Sequence, residues 1–193
     1  MNIIVKPFSL LLLGLLFSGC GKGDISPIEE AIRMELKKPE GELTQADYQK
    51  VKRLSVYEVA RPVVDITLVG ELTNLERLDF AGGDISDPAP LAKLTKLWHL
   101  QVNECGLKDF SALSGLDSLE ELNASGNKVS NLSSLKGLTK LRVLALNSNR
   151  IKDTSPLLGL KSLEWMNLMD NPISREAIEA LKKALPKCKI EHD

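Results

Sequence analysis

The sequence predicts a fold of the α/β class: a solenoid with a curved parallel sheet on one side, 3₁₀ or irregular segments on the convex side, and a helical cap at each end. Three observations predict it. Apolar residues recur every 22 residues over most of the chain, they alternate only over short segments, and amphipathic helical patterns flank the repeats. A chain of 193 residues is long enough for one such domain.

The period is carried by apolar triplets that each predict one short strand with an inward face. All fifteen positions of five successive triplets are apolar in a chain that is 43% hydrophobic overall. The triplets are Leu75/Leu78/Phe80, Leu97/Leu100/Val102, Leu119/Leu122/Ala124, Leu141/Leu144/Leu146 and Leu163/Met166/Leu168. An earlier strand, Val51/Leu54/Val56, lies 24 residues ahead, which places two extra residues between residues 57 and 63. No repeat can bury its own apolar row, so we expect the repeats to stack over residues 51–173.

This pattern resembles the 22-residue leucine-rich repeat of bacterial internalins, and the resemblance covers residues 27–193. In that family an Asn after each strand points inward and bonds the backbone of adjacent turns. The position holds Asn127, Asn149 and Asn171 here, with Gly83 and Cys105 in the earlier repeats. We expect Cys105 to be a buried small residue rather than a reactive thiol. The resemblance also implies binding of a protein or peptide ligand, without catalysis.

An N-terminal cap is predicted over residues 27–50. Ser26 followed by Pro27 is typical of a helix start, and Thr44 with Asp47 three residues later predicts a capping box and a second short helix. The segment KPEGELTQADYQKVKRL resembles the helical cap of bacterial leucine-rich repeat proteins.

A C-terminal cap is predicted over residues 174–193. Ser174 begins an amphipathic helix that Pro186 ends. Cys188 and Ile190 then alternate as in a last strand, which places Cys188 in the core.

The first twenty residues, MNIIVKPFSLLLLGLLFSGC, predict an export signal. Lys6 precedes an apolar run that is too short to span a bilayer. The last four residues resemble the lipobox of bacterial lipoproteins, which implies a signal peptide over residues 1–19, an acylated Cys20 and a tether over residues 20–26. We therefore expect an exported protein of the bacterial cell envelope, anchored in the bilayer through Cys20. In lipoproteins of some bacteria an Asp after the acylated Cys implies retention in the inner membrane, so Gly21 at that position favours the outer membrane if the cell is Gram-negative.

Composition argues against several other classes of function. The net charge of −1 offers no basic excess for nucleic acid. The two histidines and three cysteines form no metal-binding pattern, so we expect no metal and no cofactor. We expect a monomer.

The residues between the inward leucines are predicted to share the concave side of the sheet, where a ligand would bind. The candidate contact residues are Arg77, Asp79, His99, Gln101, Asn103, Glu121, Asn123, Val143, Asn147, Trp165, Asn167 and Met169. Charged residues predominate in the first repeats and apolar residues in the last repeats. Trp165 is open to two interpretations, a binding anchor or a side chain packed under the C-terminal cap. His99 lies between Asp79 and Glu121, and a salt-bridged row is favoured over a catalytic site because no pocket is expected.

Two alternative functions remain. The arc could be a structural spacer or an assembly component of an envelope complex. If the first twenty residues were retained, the repeats would fit an intracellular protein that resembles phosphatase regulators.

Overall fold

The computed structural model describes residues 25–57 and 65–193, which form one curved parallel sheet with short helical turns on its other side. Its strands are β1 Arg53–Val56, β2 Arg77–Ala81, β3 His99–Asn103, β4 Glu121–Asn123, β5 Val143–Ala145, β6 Trp165–Asn167 and β7 Lys189–Glu191. Sheet order follows chain order, and every neighbouring pair is parallel. The predicted solenoid is therefore confirmed. The predicted signal peptide and most of the predicted insertion lie outside the described residues.

The strand register stacks the middle apolar residue of each triplet into one row. Leu54 lies beside Leu78, and Leu78 lies beside Leu100. The row members of β2–β6 are fully buried: Leu78, Leu100, Leu122, Leu144 and Met166. Each strand therefore covers its neighbour's apolar side chains, as the repeat requires.

The chain returns between strands through short 3₁₀ turns on the convex side. Those in the described residues are Thr67–Glu71, Ala89–Lys93, Ser111–Leu113, Ser133–Leu135 and Ser155–Leu157. An Asp or Asn precedes each turn and caps it. Asp65 Oδ1 accepts from Thr67 N at 2.8 Å, and Asp153 Oδ1 accepts from Ser155 N at 2.8 Å. This repeated cap satisfies backbone donors that the turn would otherwise leave without partners.

Buried asparagines satisfy the backbone where the chain leaves each strand. Asn127 Oδ1 accepts from Cys105 N at 3.2 Å and from Leu107 N at 3.0 Å. Its Nδ2 donates to Val102 O and Ala124 O, both at 2.9 Å. One side chain thus ties its own turn to the preceding turn and pairs four backbone groups.

The same position in other repeats behaves as expected. Asn149 Oδ1 accepts from Val129 N at 3.1 Å, and Asn171 Oδ1 accepts from Ile151 N at 3.0 Å. Cys105 is fully buried, and burial raises the pKa of its thiol to about 12. Such a thiol stays protonated at neutral pH and is unreactive.

Helices lie before the first strand. α1 spans Pro27–Glu35 with Ser26 as its N-cap, and its apolar side packs on β1. α2 spans Gln45–Tyr48, and Thr44 and Asp47 form the predicted capping box.

At the other end, α3 spans Arg175–Ala184 and Ser174 caps its N-terminus. Ile190 of β7 lies beside Met166 and extends the apolar row. Cys188 is only half-buried and packs against the edge of the core before β7, so the prediction that it lies in the core is confirmed in part. In the described part of the chain, no helix has the length and apolarity to cross a bilayer.

We predict that Asn127→Ala lowers the free energy of unfolding by about 2–3 kcal/mol, because buried backbone groups lose their partner. Asn131→Ala is the matched control. Asn131 is exposed and caps one turn through Ser133 N, so its loss should cost at most about 1 kcal/mol. Urea denaturation followed by circular dichroism measures both values. Equal losses in the two variants would contradict the role given to the buried asparagine.

Candidate recognition surface

Side chains that alternate with the buried leucines leave the concave side of the sheet in columns. The register aligns the first column as Arg77, His99, Glu121, Val143 and Trp165. It aligns the second as Asp79, Gln101, Asn123, Ala145 and Asn167. Backbone bonds such as Ser148 N to Met169 O, 2.9 Å, continue the ladder into a third column, Asn103, Ser125, Asn147 and Met169. We call these three columns the concave face. It holds all twelve predicted contact residues, whose role in ligand contact stays a prediction.

The N-terminal end of the face is an ion-pair network centred on Asp79. Arg77 Nε and Nη2 donate to the two oxygens of Asp79 at 2.7 and 3.0 Å, and Ser55 Oγ donates at 3.2 Å. His99 Nε2 lies 3.0 Å from Asp79 Oδ1, while His99 Nδ1 lies 2.7 Å from Glu121 Oε2. Asp79 is only 2% exposed. We therefore correct its assignment as a contact residue. Its buried carboxylate bonds to Arg77, His99 and Ser55 and so holds these side chains in place on the face.

This network shifts the pKa values of both central groups. Burial alone would raise the pKa of Asp79, but hydrogen bonds from His99 and Arg77 outweigh it and lower the pKa to about 2. Burial alone would lower the pKa of His99, but hydrogen bonds to Asp79 and Glu121 outweigh it and raise the pKa. The network therefore favours a charged histidine between two carboxylates.

Side-chain amides line the second column of the face, on β4 and β6. Asn123 Oδ1 accepts from Ser125 N at 3.3 Å, and Asn167 Oδ1 accepts from Met169 N at 3.0 Å. These backbone donors fix the two amide oxygens, so each Nδ2 faces outward. No hydrogen bond involves either Nδ2 group within the described residues. The second column of the face therefore presents free N–H donors to a ligand.

Ser125 links two of these amides. Its Oγ lies 2.7 Å from Asn123 Oδ1 and 2.6 Å from Asn147 Oδ1. A hydroxyl has one hydrogen and cannot donate to both oxygens. Since the Asn123 oxygen is also held by a backbone donor, Asn147 satisfies Ser125 best with its amide turned so that Nδ2 donates. Asn147 then presents an outward oxygen beside the donors of its neighbours.

The C-terminal end of the face is apolar. Trp165 is half-buried, with Val143 and Lys189 on the neighbouring strands. Hydrogen bonds from Lys189 and then from the Trp165 side chain lower the pKa of Glu191. α3 instead packs against the turn Ser155–Leu157 on the convex side. Of the two interpretations of Trp165, the structure therefore places it on the concave face and not under the cap helix.

A rim follows the third column, where every repeat adopts a left-handed backbone. The positive φ angles are 77° at Gly82, 55° at Glu104, 70° at Gly126, 57° at Ser148 and 56° at Asp170. Glycine at two of the five positions is the only sequence signal of this conformation. A Cβ at Gly126 would lie 2.8 Å from Glu104 Cγ, so the Glu104 side chain extends over that glycine. We call Glu104, Ser148 and Asp170 the rim.

We predict that the free energy of unfolding falls as pH rises from 6 to 9, and that His99→Gln removes most of this slope. The folded state raises the pKa of His99, so the stabilisation is complete below its unfolded value of about 6.5 and is lost as pH rises through the folded pKa. Urea titrations at several pH values measure the slope.

The control for this titration is His192→Gln, which replaces an exposed histidine outside the Asp79 network. Asp79 behaves in the opposite sense. Its lowered pKa contributes stability above about pH 4 that is lost as pH falls toward 2. A His99→Gln profile identical to that of the parent chain would contradict the network.

Comparisons with known proteins agree with this geometry. A family model described as Leucine Rich repeats (2 copies) matches residues 117–159. A search of curated proteins found no match. Among solved structures, an internalin of Listeria monocytogenes is 26% identical, with a TM-score of 0.65 over 86% of this chain and 55% of that chain.

Two further solved structures share the fold. Internalin C2 of Listeria monocytogenes is 24% identical, with a TM-score of 0.61 over 86% of this chain and 92% of its own. A leucine-rich repeat protein of Leptospira interrogans is 23% identical, with a TM-score of 0.59 over 75% of this chain and 44% of its own. The chain thus spans about half the length of two of these three proteins. Together with the strand register, these matches identify its fold as the leucine-rich repeat solenoid.

Proposed function

We propose that this chain is a lipid-anchored protein of the bacterial cell envelope that binds a protein ligand on its concave face, without catalysis. The observation that carries the proposal is the register of β2–β6, which brings side chains from five repeats onto one continuous surface. The twelve residues of that surface were selected from the repeat pattern alone. Similarity to internalins supports an exported bacterial protein.

Support for ligand binding comes from what the surface leaves unsatisfied. The outward amide donors of Asn123 and Asn167 have no partner within the described residues, and Met169 in the third column is 41% exposed. Trp and Met side chains are both enriched at protein interfaces, where Trp often serves as an anchor. A spacer would gain nothing from such a surface.

The absence of catalysis rests on the bonding of His99. Both its ring nitrogens are engaged by carboxylates, and the hydroxyl of Ser125 is engaged by two amides in another column. A general base needs a nucleophile within hydrogen-bond reach. The residues nearest His99 supply structural partners instead.

Support for the anchor comes from the leader sequence. Cys20 follows an apolar run and a small residue, in the arrangement of a lipobox. It lies outside the described residues, five positions ahead of the first of them. A lipid there would tether the solenoid from its N-terminal side, ahead of α1.

We predict that Cys20→Ser abolishes incorporation of an alkyne fatty acid and releases the protein from the membrane fraction. Two or more acyl chains hold a protein firmly, whereas a bare tether does not. Click labelling and intact mass of the native protein measure the change, and Cys188→Ser is the control that should keep the label. A native mass equal to that of the unprocessed chain would overturn the anchor and favour an intracellular protein.

We predict that a benzophenone amino acid at Gln101, on the face, crosslinks a protein ligand in living cells. The same group at Lys136, exposed near the convex turns, should not. Trp165→Ala combined with Met169→Ala should reduce the Gln101 adduct at least tenfold, because the apolar anchor is lost. A spacer would give no adduct specific to the face, and that result would overturn the binding function.

A further inference from the structure

We propose that β7 pairs with β7 of a second copy of this chain, antiparallel and centred on Ile190, so that two solenoids join into one continuous sheet. Three observations on this single strand carry the inference. Its outer edge has unpaired backbone groups, its apolar side chain is incompletely covered, and its charges complement those of an identical strand. The inference is independent of ligand binding on the concave face, and it replaces the monomer expected from the sequence.

The outer edge of β7 carries backbone groups that have no partner in the described residues. Lys189 N donates to Glu164 O at 2.8 Å, and Leu168 N donates to Glu191 O, also at 2.8 Å. The backbone of Lys189 and of Glu191 therefore faces β6. Because backbone groups of successive residues in a strand point to opposite sides, the N–H and C=O of Ile190 point away from β6. No strand of the described chain lies on that side, so this residue offers the template that an added strand uses.

The apolar row of the sheet is less well covered at β7 than inside the stack. Met166 of β6 is fully buried, with Leu144 on one side of it and Ile190 on the other. Ile190 itself is only half-buried, because β6 covers one of its sides and no strand of the described chain covers the other. The same side chain from a second copy, placed directly opposite, would extend the row by one member and bury this surface.

The charges on β7 select the register of the pairing. Lys189 and Glu191 lie side by side on the concave side, with Nζ 2.6 Å from Oε1, and the lysine side chain is 72% exposed. When Ile190 faces Ile190 of the second copy, Lys189 faces Glu191 of that copy on both sides of the two-fold axis. Four charges then alternate in sign across the joint, which favours the pairing. Shifted registers that place Lys189 opposite Lys189, or Glu191 opposite Glu191, are disfavoured by repulsion.

The lysine also restricts which strand can be added. A lysine on a short edge strand ordinarily opposes edge pairing. Here an identical antiparallel strand brings a carboxylate to each lysine, so the residue that repels other strands favours a second copy. β7 is three residues long, and the contact is correspondingly small. We therefore expect a reversible dimer rather than an obligate one.

The first test reverses the charges of the joint in the purified full chain and follows its mass by analytical ultracentrifugation from about 10 µM to about 1 mM. We expect the parent chain to approach the mass of a dimer at the highest concentration. Lys189→Glu leaves two carboxylates on the edge, and Glu191→Lys leaves two ammonium groups. Each variant alone should dimerise at least about tenfold more weakly. An equimolar mixture of the two should regain the dimer, since every facing pair then has opposite charges.

The matched controls are Lys52→Glu and Glu76→Lys. They reverse an exposed ion pair at the other end of the sheet, where Lys52 Nζ lies 2.8 Å from Glu76 Oε1. Neither should change the association of the parent chain. Circular dichroism of all four variants checks that charge reversal at these exposed positions leaves the fold intact.

The second test reads the backbone by amide hydrogen exchange. The Ile190 amide should exchange freely in the monomer and at least about tenfold more slowly in the dimer, while the Glu191 amide, which faces β6, should be protected at every concentration. A chain that stays monomeric at about 1 mM overturns the proposal. So does a dimer that survives charge reversal, a mixture that stays monomeric, or an Ile190 amide whose exchange is independent of concentration. All these outcomes leave the proposed binding function intact, because the Gln101 crosslink reports on the concave face.

Discussion

The stacking of repeats that cannot bury their own apolar residues is the constraint on which the rest of the structure depends. Leu100 is fully buried because Leu78 and Leu122 lie on either side of it, and the same holds along the whole row. Stacking brings polar backbone into the core wherever the chain leaves a strand. The inward asparagines satisfy these backbone groups, since one amide such as that of Asn127 both donates to and accepts from the backbone of two turns.

The same constraint builds the surface. Once the inward row is in register, the outward side chains have no freedom of placement and repeat at the strand spacing of about 4.8 Å. That spacing is short enough for side chains in one column to bond each other, as His99 does with Glu121 at 2.7 Å. Evolution can therefore change the chemistry of the face one repeat at a time without altering the backbone, which makes the face suited to recognition.

Much of this was predictable from the sequence, because period and alternation determine which side chains point inward. The apolar triplets predicted the strands and their order, and the Asn residues of the last three repeats predicted the backbone ladder. The burial of Asp79 was not predictable, because it depends on a bidentate contact with Arg77 within the same strand. The left-handed rim was also missed, since Glu104 and Ser148 are residues that rarely adopt positive φ, and the glycines alone did not indicate it. The half-buried Cys188 follows from a turn whose path no periodicity specifies.

The two ends of the concave face differ in how many of their polar side chains are already hydrogen-bonded. At its N-terminal end, Arg77 donates two hydrogen bonds to Asp79, and both ring nitrogens of His99 bond to carboxylates. The charges at that end are therefore paired with one another. A ligand that broke those bonds would leave the buried carboxylate of Asp79 without a counter-charge. The free energy lost in this way is larger than the free energy gained from an exposed contact with the ligand. Toward the C-terminal end, the amide donors of Asn167, the side chain of Met169 and the rim carboxylates remain available. The energetically accessible part of the face is therefore its C-terminal half, and the charged end acts as the rigid support that holds the strands in register.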